Sequence, residues 1–225
     1  MADFPEFRPA IKTRVTFAPS PFAEGSMRLA HYAFFHDRYY VIKCFNDDTQ
    51  DFIQNALQTT YAQAVLKDIR CQMFAITLAN IFNGRLSQVD KQEWQIKYAV
   101  PSLVAFGREM EYAEPYMAGD YVRYNDNNGN VQNGDTTEGK IAASFCHFTY
   151  EETNGRAMVV DIQGVGLHFT DAQVHTRCIA RTDELFKRFG MGNMGKYGMT
   201  KFFRTHKCNS LCQVLGLTPR DVAGL

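Results

Sequence analysis

Three acids or amides in one short stretch carry the first chemical signal. Met158-Val159-Val160 is an apolar, β-favouring run that stops at Asp161. Gln163, Gly164 and Gly166 follow at once, and Asp171 comes five residues beyond Gly166 behind Thr170. An isolated acid at a strand end reads first as a turn cap. Asp161, Gln163 and Asp171 taken together offer the hard oxygen ligands that Mg²⁺ takes. A lysine supplies the complementary charge upstream: Lys43 sits in Tyr40-Val41-Ile42-Lys43-Cys44-Phe45. In so apolar a strand it must meet a counter-charge, point into a cleft or snorkel to an edge.

The second signal is His206-Lys207-Cys208-Asn209-Ser210-Leu211-Cys212. One imidazole and two thiolates within seven residues can share a Zn²⁺, which is held by four such ligands in a tetrahedron. The fourth has to come from elsewhere, and His147, His168, His175 and Cys178 are all available. Buried, inert thiols are the bland alternative. A third motif is a decoy. Gly190 to Gly195 formally matches GxGxxG, but Asp183 to Arg188 before it is charged and helical in pattern, and no acid follows at the spacing a dinucleotide site needs. A mobile glycine-rich loop near a cleft is the expectation there.

The elements that must position these residues read as follows. Lys12–Phe17, Leu29–Phe35 and Tyr39–Phe45 are strands, the first two flanking the turn-rich stretch that holds Gly25 and Arg28. Phe52 to Asn83 lacks proline and glycine and is the longest helical segment, with a break expected near Thr59-Thr60 and a stop at Asn83-Gly84. Two strands, Ile96–Phe106 and Glu109–Tyr116, meet at Gly107-Arg108. The Asn- and Gly-dense tract 125–134 is a surface loop. A helix then runs from Thr136 to about Thr149, a charged helical piece covers 180–188, and an amphipathic helix carrying Met199, Phe202 and Phe203 lies within 193–206. Strand-rich and helix-rich portions alternate irregularly, which predicts an α+β fold with an antiparallel sheet.

Composition narrows the class. The 225 residues are 45% hydrophobic, enough for a sizeable core, and 24 Lys+Arg balance 24 Asp+Glu, so no nucleic-acid partner or anionic membrane is implied. No apolar run is long enough to span a bilayer, and the N-terminus lacks a signal-peptide core. Six cysteines, four of them scattered singly, fit a reduced intracellular chain rather than a disulfide framework.

Seven ordered blocks then fall into one pattern: Ala18-Pro19-Ser20-Pro21-Phe22 through Gly25-Ser26-Met27-Arg28; Tyr40-Val41-Ile42-Lys43; Phe145-Cys146-His147-Phe148-Thr149-Tyr150-Glu151; Val160-Asp161-Ile162-Gln163-Gly164-Val165-Gly166; Thr170-Asp171; Phe189-Gly190 with Gly192-Asn193-Met194-Gly195; and His206-Lys207-Cys208-Asn209 with Cys212. The sequence resembles the catalytic domain of the alpha-kinases, the atypical serine/threonine protein kinases, from about Val15 to Pro219. The resemblance implies a two-lobed fold, 1–117 binding nucleotide and 118–225 carrying catalysis and a structural zinc. It implies ATP and Mg²⁺ as cofactors and a protein Ser/Thr, threonine favoured, as acceptor. Lys43 would hold the α/β-phosphates under the Gly25 loop with Arg28 nearby, and Glu114, Tyr116 and Met117 would receive adenine. Asp161 would orient or deprotonate the substrate hydroxyl, and Gln163 and Asp171 would ligate Mg²⁺. His147 would complete the zinc set with His206, Cys208 and Cys212, while Gly192 and Asn193 would lie near the peptide. Other domains of a larger protein and a cytoplasmic location are further expectations, with no membrane contact through this domain.

Ala172 departs from the proline usual after the loop Asp, which implies a less restrained Asp171 loop. Met194 replaces a common leucine. The HRD and DFG motifs of ordinary protein kinases are absent. A catalytically inactive kinase-like module is the competing class; the presence of Lys43, Asp161, Gln163 and Asp171 together speaks against it. A zinc-binding adaptor would leave the Lys43 and Asp161 strands without a purpose.

Overall fold

Alternating side chains and one tight turn build the first hairpin. In the computed structural model, which describes residues 13–106, 109–178 and 187–220, β3 (Arg28–Phe35) pairs antiparallel with β4 (Arg38–Phe45). The connection is two residues, His36 and Asp37, both with positive φ, as the twist of a hairpin demands. β1 (Thr16–Phe17) and β2 (Ala23–Glu24) pair with β3, while β7 (Glu109–Pro115) and then β6 (Ser102–Phe106) follow β4, giving the order β1-β3-β4-β7-β6 with β2 beside β3. The sheet curls until Phe17 on its first strand and Phe106 on its last stand 6.0 Å apart, ring to ring. Ala33, Phe35, Ile42 and Ala113 fill one face of the curl. The other face presents Phe45 and Tyr112 to the long helix.

That helix arrives after α1 (Asp47–Asp51) and one π-helical turn, Phe52–Ala56. The expected break is real: Thr60 caps α2 (Tyr61–Gln88), its hydroxyl accepting from the Gln63 N–H while the Gln63 side chain accepts from the Thr60 N–H. The expected stop at Gly84 is not. Leu86 is fully buried, so another helical turn removes more apolar surface from water than Gly84 sacrifices in helix propensity. Asn83 instead clamps Ile96, accepting from its N–H at 2.9 Å and donating to its carbonyl at 2.8 Å.

The single strand expected over 96–106 is two. Pro101 interrupts it, and its first part, β5 (Lys97–Tyr98), leaves the curled sheet altogether. It joins β11 (His168–Thr170), β10 (Gln163–Val165) and β8 (Tyr121–Arg123) in a four-stranded sheet ordered β5-β11-β10-β8. β9 (Ala157–Val160) pairs with β12 (Gln173–Thr176). α3 (Thr137–Glu152), α4 (Gly195–Thr205) and α5 (Ser210–Val214) pack around them with the C-terminal half of α2. At the first end, only Thr16–Phe17 of the expected Lys12–Phe17 strand is extended, and Lys12 lies outside the described residues. The expected turn at Gly107-Arg108 and all of the 180–188 helical piece except Lys187-Arg188 also lie outside them.

Candidate functional site

Two sheets and α2 bring five charges together. β4 delivers Lys43 and β7 delivers Glu114 to the same face, and the ammonium stands 2.7 Å from Glu114 Oε1. From the turn after β11, Asp171 Oδ2 reaches Lys43 Nζ at the same 2.7 Å. Tyr112 donates to Glu114 Oε2 at 3.0 Å, and the Thr170 hydroxyl donates to that oxygen in a short bond. Arg28 pairs with Asp68 on α2, lies 3.6 Å from Asp171, and rests against the rings of Phe45 and Tyr112, 5.3 Å from each. Burial works to discharge Lys43, but Asp171 and Glu114 outweigh it and the pKa rises. At Asp171 burial pushes the other way, and Lys43 and Arg28 prevail, so its carboxyl is held below the ordinary range. The lysine has met its counter-charge.

Asp161 follows the wholly buried β9 and has φ 60°, and Asp171 has φ 54°. Both acids occupy left-handed backbone, which costs a non-glycine residue roughly 1–3 kcal/mol. In each case a buried amide side chain holds the next residue. Asn125 Oδ1 accepts from the Ile162 N–H at 3.1 Å. Gln72 Oε1 accepts from the Ala172 N–H at 3.1 Å while its own amide donates to the Ala99 carbonyl at 2.8 Å. The Asp171 loop is therefore pinned through the N–H that a proline would lack, contrary to the looser loop expected from Ala172.

The Asp161 carboxylate has Arg123 beside it, Nε 3.1 Å from Oδ1. Burial pushes the Asp161 carboxyl up to about 7, with Arg123 opposing and Asp171 adding to the rise. Gln163 hydrogen-bonds to it from β10. Gly164 (φ 154°) lets β10 run against β11, since a Cβ there would collide with the His168 carbonyl.

The other expected positions divide. Gly25 is exposed on the turn before β3, its N–H donating to the Arg28 carbonyl at 2.8 Å. Glu114 turns its carboxylate to Lys43, while Tyr116 and Met117 continue past the end of β7, Tyr116 lying edge-on to Tyr32. Gly192 and Asn193 are not on a loose loop. Asn193 is buried, accepting from the N–H groups of Thr176 and Gly195 and donating to the Thr176 hydroxyl. His175 donates to the Asn127 carbonyl and accepts from Met194 N–H, tying this loop to the Asn-rich tract. That tract is the expected surface loop, anchored at two points: Asn125 is buried and Gly129 abuts Lys201 of α4.

His147 on α3, His206 at the end of α4, Cys208 and Cys212 on α5 converge, their ligand atoms all within 4.8 Å of one another. Zn–N and Zn–S bond lengths imply tetrahedral edges of about 3.3 Å between nitrogens and about 3.6 Å between nitrogen and sulfur. The two facing imidazole nitrogens are 3.2 Å apart, and the nitrogen–sulfur separations are 3.6, 3.8 and 3.7 Å. Burial pushes the His206 imidazole down to about 4, helped by His147, and lowers His147 too, keeping both in the neutral form a metal requires. Glu151 lies 3.6 Å behind His147 Nε2, placed to orient the ring. The donor set fits zinc. Of the alternatives for the fourth position, neither His168, His175 nor Cys178 joins this group.

A family model described as the alpha-kinase family matches residues 23–212. Myosin heavy chain kinase B of Dictyostelium discoideum is 34% identical over 220 residues, an alignment covering 91% of this chain and 26% of that protein. Eukaryotic elongation factor 2 kinase of Caenorhabditis elegans is 32% identical over 210 residues, covering 91% and 25%. The chain thus spans about a quarter of the length of these relatives. Among solved structures, the alpha-kinase domain of myosin-II heavy chain kinase A in complex with AMP-PNP aligns with a TM-score of 0.77 at 25% identity, covering 92% of this chain and 88% of that one.

Proposed function

The chain belongs to the alpha-kinase family, and on that premise we propose that it is an ATP- and Mg²⁺-dependent protein kinase that moves the γ-phosphoryl group to a serine or threonine hydroxyl, with threonine favoured. The observation that carries the reading is the meeting of Lys43 and Asp171 at 2.7 Å from two different sheets. A cation and an ionised carboxylate near Asp161 support a reading of phosphoryl transfer.

In this reading Lys43, steadied by Glu114, supplies positive charge to the α- and β-phosphates beneath the Gly25 turn, with Arg28 beside it. Tyr116 and Met117 meet the adenine; Glu114 contributes there by fixing the end of β7. Gln163 and Asp171 would hold Mg²⁺, and the ion would neutralise phosphate charge. Asp161, whose carboxyl burial pushes up to about 7, would in its ionised form align the acceptor hydroxyl and take its proton. Arg123 keeps the carboxylate aimed. His147, His206, Cys208 and Cys212 would hold a structural zinc, which joins α3 to the segment after α4.

The lobe boundary stays at 117/118 in this reading, with β5 crossing it to stitch the halves together. The short share of each relative covered by this chain supports further domains as partners. Among the described residues no helix is long and apolar enough to cross a membrane; the cytoplasmic assignment rests on family likeness. The test is phosphate transfer from radiolabelled ATP to a generic basic protein. Asp161→Ala should abolish it, and transfer persisting at full rate would sink the assignment.

A further inference from the structure

One aromatic ring stands against both of the buried cations of the cleft. Tyr112 lies directly across from Lys43 where β7 pairs with β4, which puts the two side chains on the same face of the sheet. Lys43 Nζ is 5.5 Å from the centre of that ring, and the Arg28 guanidinium carbon is 5.3 Å from it. Both distances fall within the range in which a cation is drawn to the negative face of a ring. The ring is buried in the cluster that Phe45, Ile53, Val65 and Ile69 form against α2, so water screens neither contact. Its hydroxyl donates to Glu114 Oε2, and Glu114 Oε1 holds the Lys43 ammonium. Tyr112 thus reaches Lys43 by two routes and Arg28 by one.

The acids around these cations do not all stay free to hold them. Lys43 has Glu114 and Arg28 has Asp68, but both also lean on one shared acid, Asp171, at 2.7 and 3.6 Å. In the kinase reading, on which this inference rests, Asp171 turns to Mg²⁺ and no longer neutralises the two cations as before. The ring carries no net charge and no metal recruits it, so it stays against both cations in either state. A further acid in its place would repel the incoming phosphate oxygens; a ring attracts the cations without adding negative charge. We propose that Tyr112 is a positioning residue of the nucleotide site, its ring holding Lys43 and Arg28 at a set separation for the phosphate groups while Asp171 changes partners.

The test grades the ring at nearly constant shape. Tyr112→Phe removes the hydroxyl and keeps the negative face. Monofluorinated and trifluorinated phenylalanine placed at the same position keep the ring and withdraw electrons from that face stepwise. In calorimetric titration of the full chain with AMP-PNP and Mg²⁺, Tyr112→Phe should bind within about threefold of the parent, having lost one hydrogen bond. The trifluorinated ring should bind about tenfold more weakly than Phe, with the monofluorinated ring between them. Steady-state kinetics should place the loss in KM for ATP, with kcat kept within about twofold. A ring that only fills the core would leave Phe and its fluorinated forms alike, because their shapes are nearly the same. Equal AMP-PNP affinity across that series overturns the inference, as does a loss confined to kcat. A parent chain that binds no AMP-PNP sinks the kinase reading and this inference with it, and the parent titration alone tells that result from the others.

Discussion

The cleft and the His/Cys cluster solve opposite problems. In the cleft, Lys43 and Arg28 lie against Glu114, Asp68 and Asp171, and Arg123 against Asp161, so each buried charge has a counter-charge from the protein itself. The cluster has none. Its two imidazoles are driven neutral by burial, and the Cys208 thiol is pushed up by burial and by Cys212, yet four lone-pair donors still point at one another. The first arrangement holds its shape with internal ion pairs and can await a ligand. The second, in the proposed reading, would be held together by a cation. Ligand loss should therefore be read as lost activity at one and as lost fold at the other.

The largest expected effect tests the cluster half of that contrast. Metal analysis should find about one zinc per chain, and chelation or His147→Ala should unfold the region joining α3 to α5. Structural zinc is worth about 10–16 kcal/mol in small domains, more than most domains have in reserve. A zinc-free chain with an unchanged melting temperature would refute the structural site.

The cleft half predicts the reverse pattern. Asp161→Asn should lower phosphate transfer by about 10²–10⁴-fold and leave thermal stability equal or higher. The amide keeps the shape of the buried carboxylate without its desolvation penalty, and asparagine tolerates left-handed backbone. A fall in melting temperature parallel to the fall in rate would show that Asp161 is structural and break the comparison.

The sequence reached these two regions unequally. Lys43, Asp161, Gln163 and Asp171 stand out because polar groups interrupt apolar strands, and the His206–Cys212 segment because its ligand types are adjacent. Arg123, Asn125, Asp68 and Gln72 do not stand out in this way. Asn125 sits in a tract whose composition says loop, while its role depends on Ile162, 37 residues on. Asp68 and Gln72 did carry a signal: they lie one helical turn apart on the face of α2 that buries Val65, Ile69 and Ala75. Polar groups on an apolar face need partners. Their partners, Arg28 and Ala172, lie 40 and 100 residues away, beyond any local pattern. For the same reason β10 and β11, three residues each, carry no strand signal of their own, and β5 reads only as the start of Ile96–Phe106; pairing across the fold defines all three.

A third region adds to the acid sensitivity that the cluster histidines bring. His175 is fully buried and neutral, and burial pushes its imidazole down to about 4. The folded state then binds a proton less readily than the unfolded chain, whose histidine titrates near 6.5. Stability is complete above that value and falls as pH drops from about 6.5 to about 4, by about 3 kcal/mol in total. The unfolding free energy of His175→Gln, compared with the parent at pH 7 and pH 5, should show the smaller acid-induced loss in the variant. Equal losses would mean that the acid sensitivity comes from the cluster alone.

The smallest effect bears on how each acid of the cleft keeps its strained backbone. Asn125 holds the residue after Asp161, and Gln72 the residue after Asp171. Ala172→Pro removes the N–H that Gln72 accepts and leaves a fully buried amide oxygen without its donor, a loss of about 1–3 kcal/mol. The pyrrolidine ring returns only about 0.4–1 kcal/mol by restricting the unfolded chain. Net destabilisation is therefore expected, although proline is the usual residue of the family here. Gln72→Leu made in the Ala172→Pro background should cost less than the same change in the parent, because the oxygen it removes is already orphaned. A double-mutant cycle by thermal unfolding measures that coupling. Additive losses, or a proline variant more stable than the parent, would show that Gln72 does not hold the loop. The two acids would then be restrained by different means, and the cleft would depend on Asn125 at one aspartate alone.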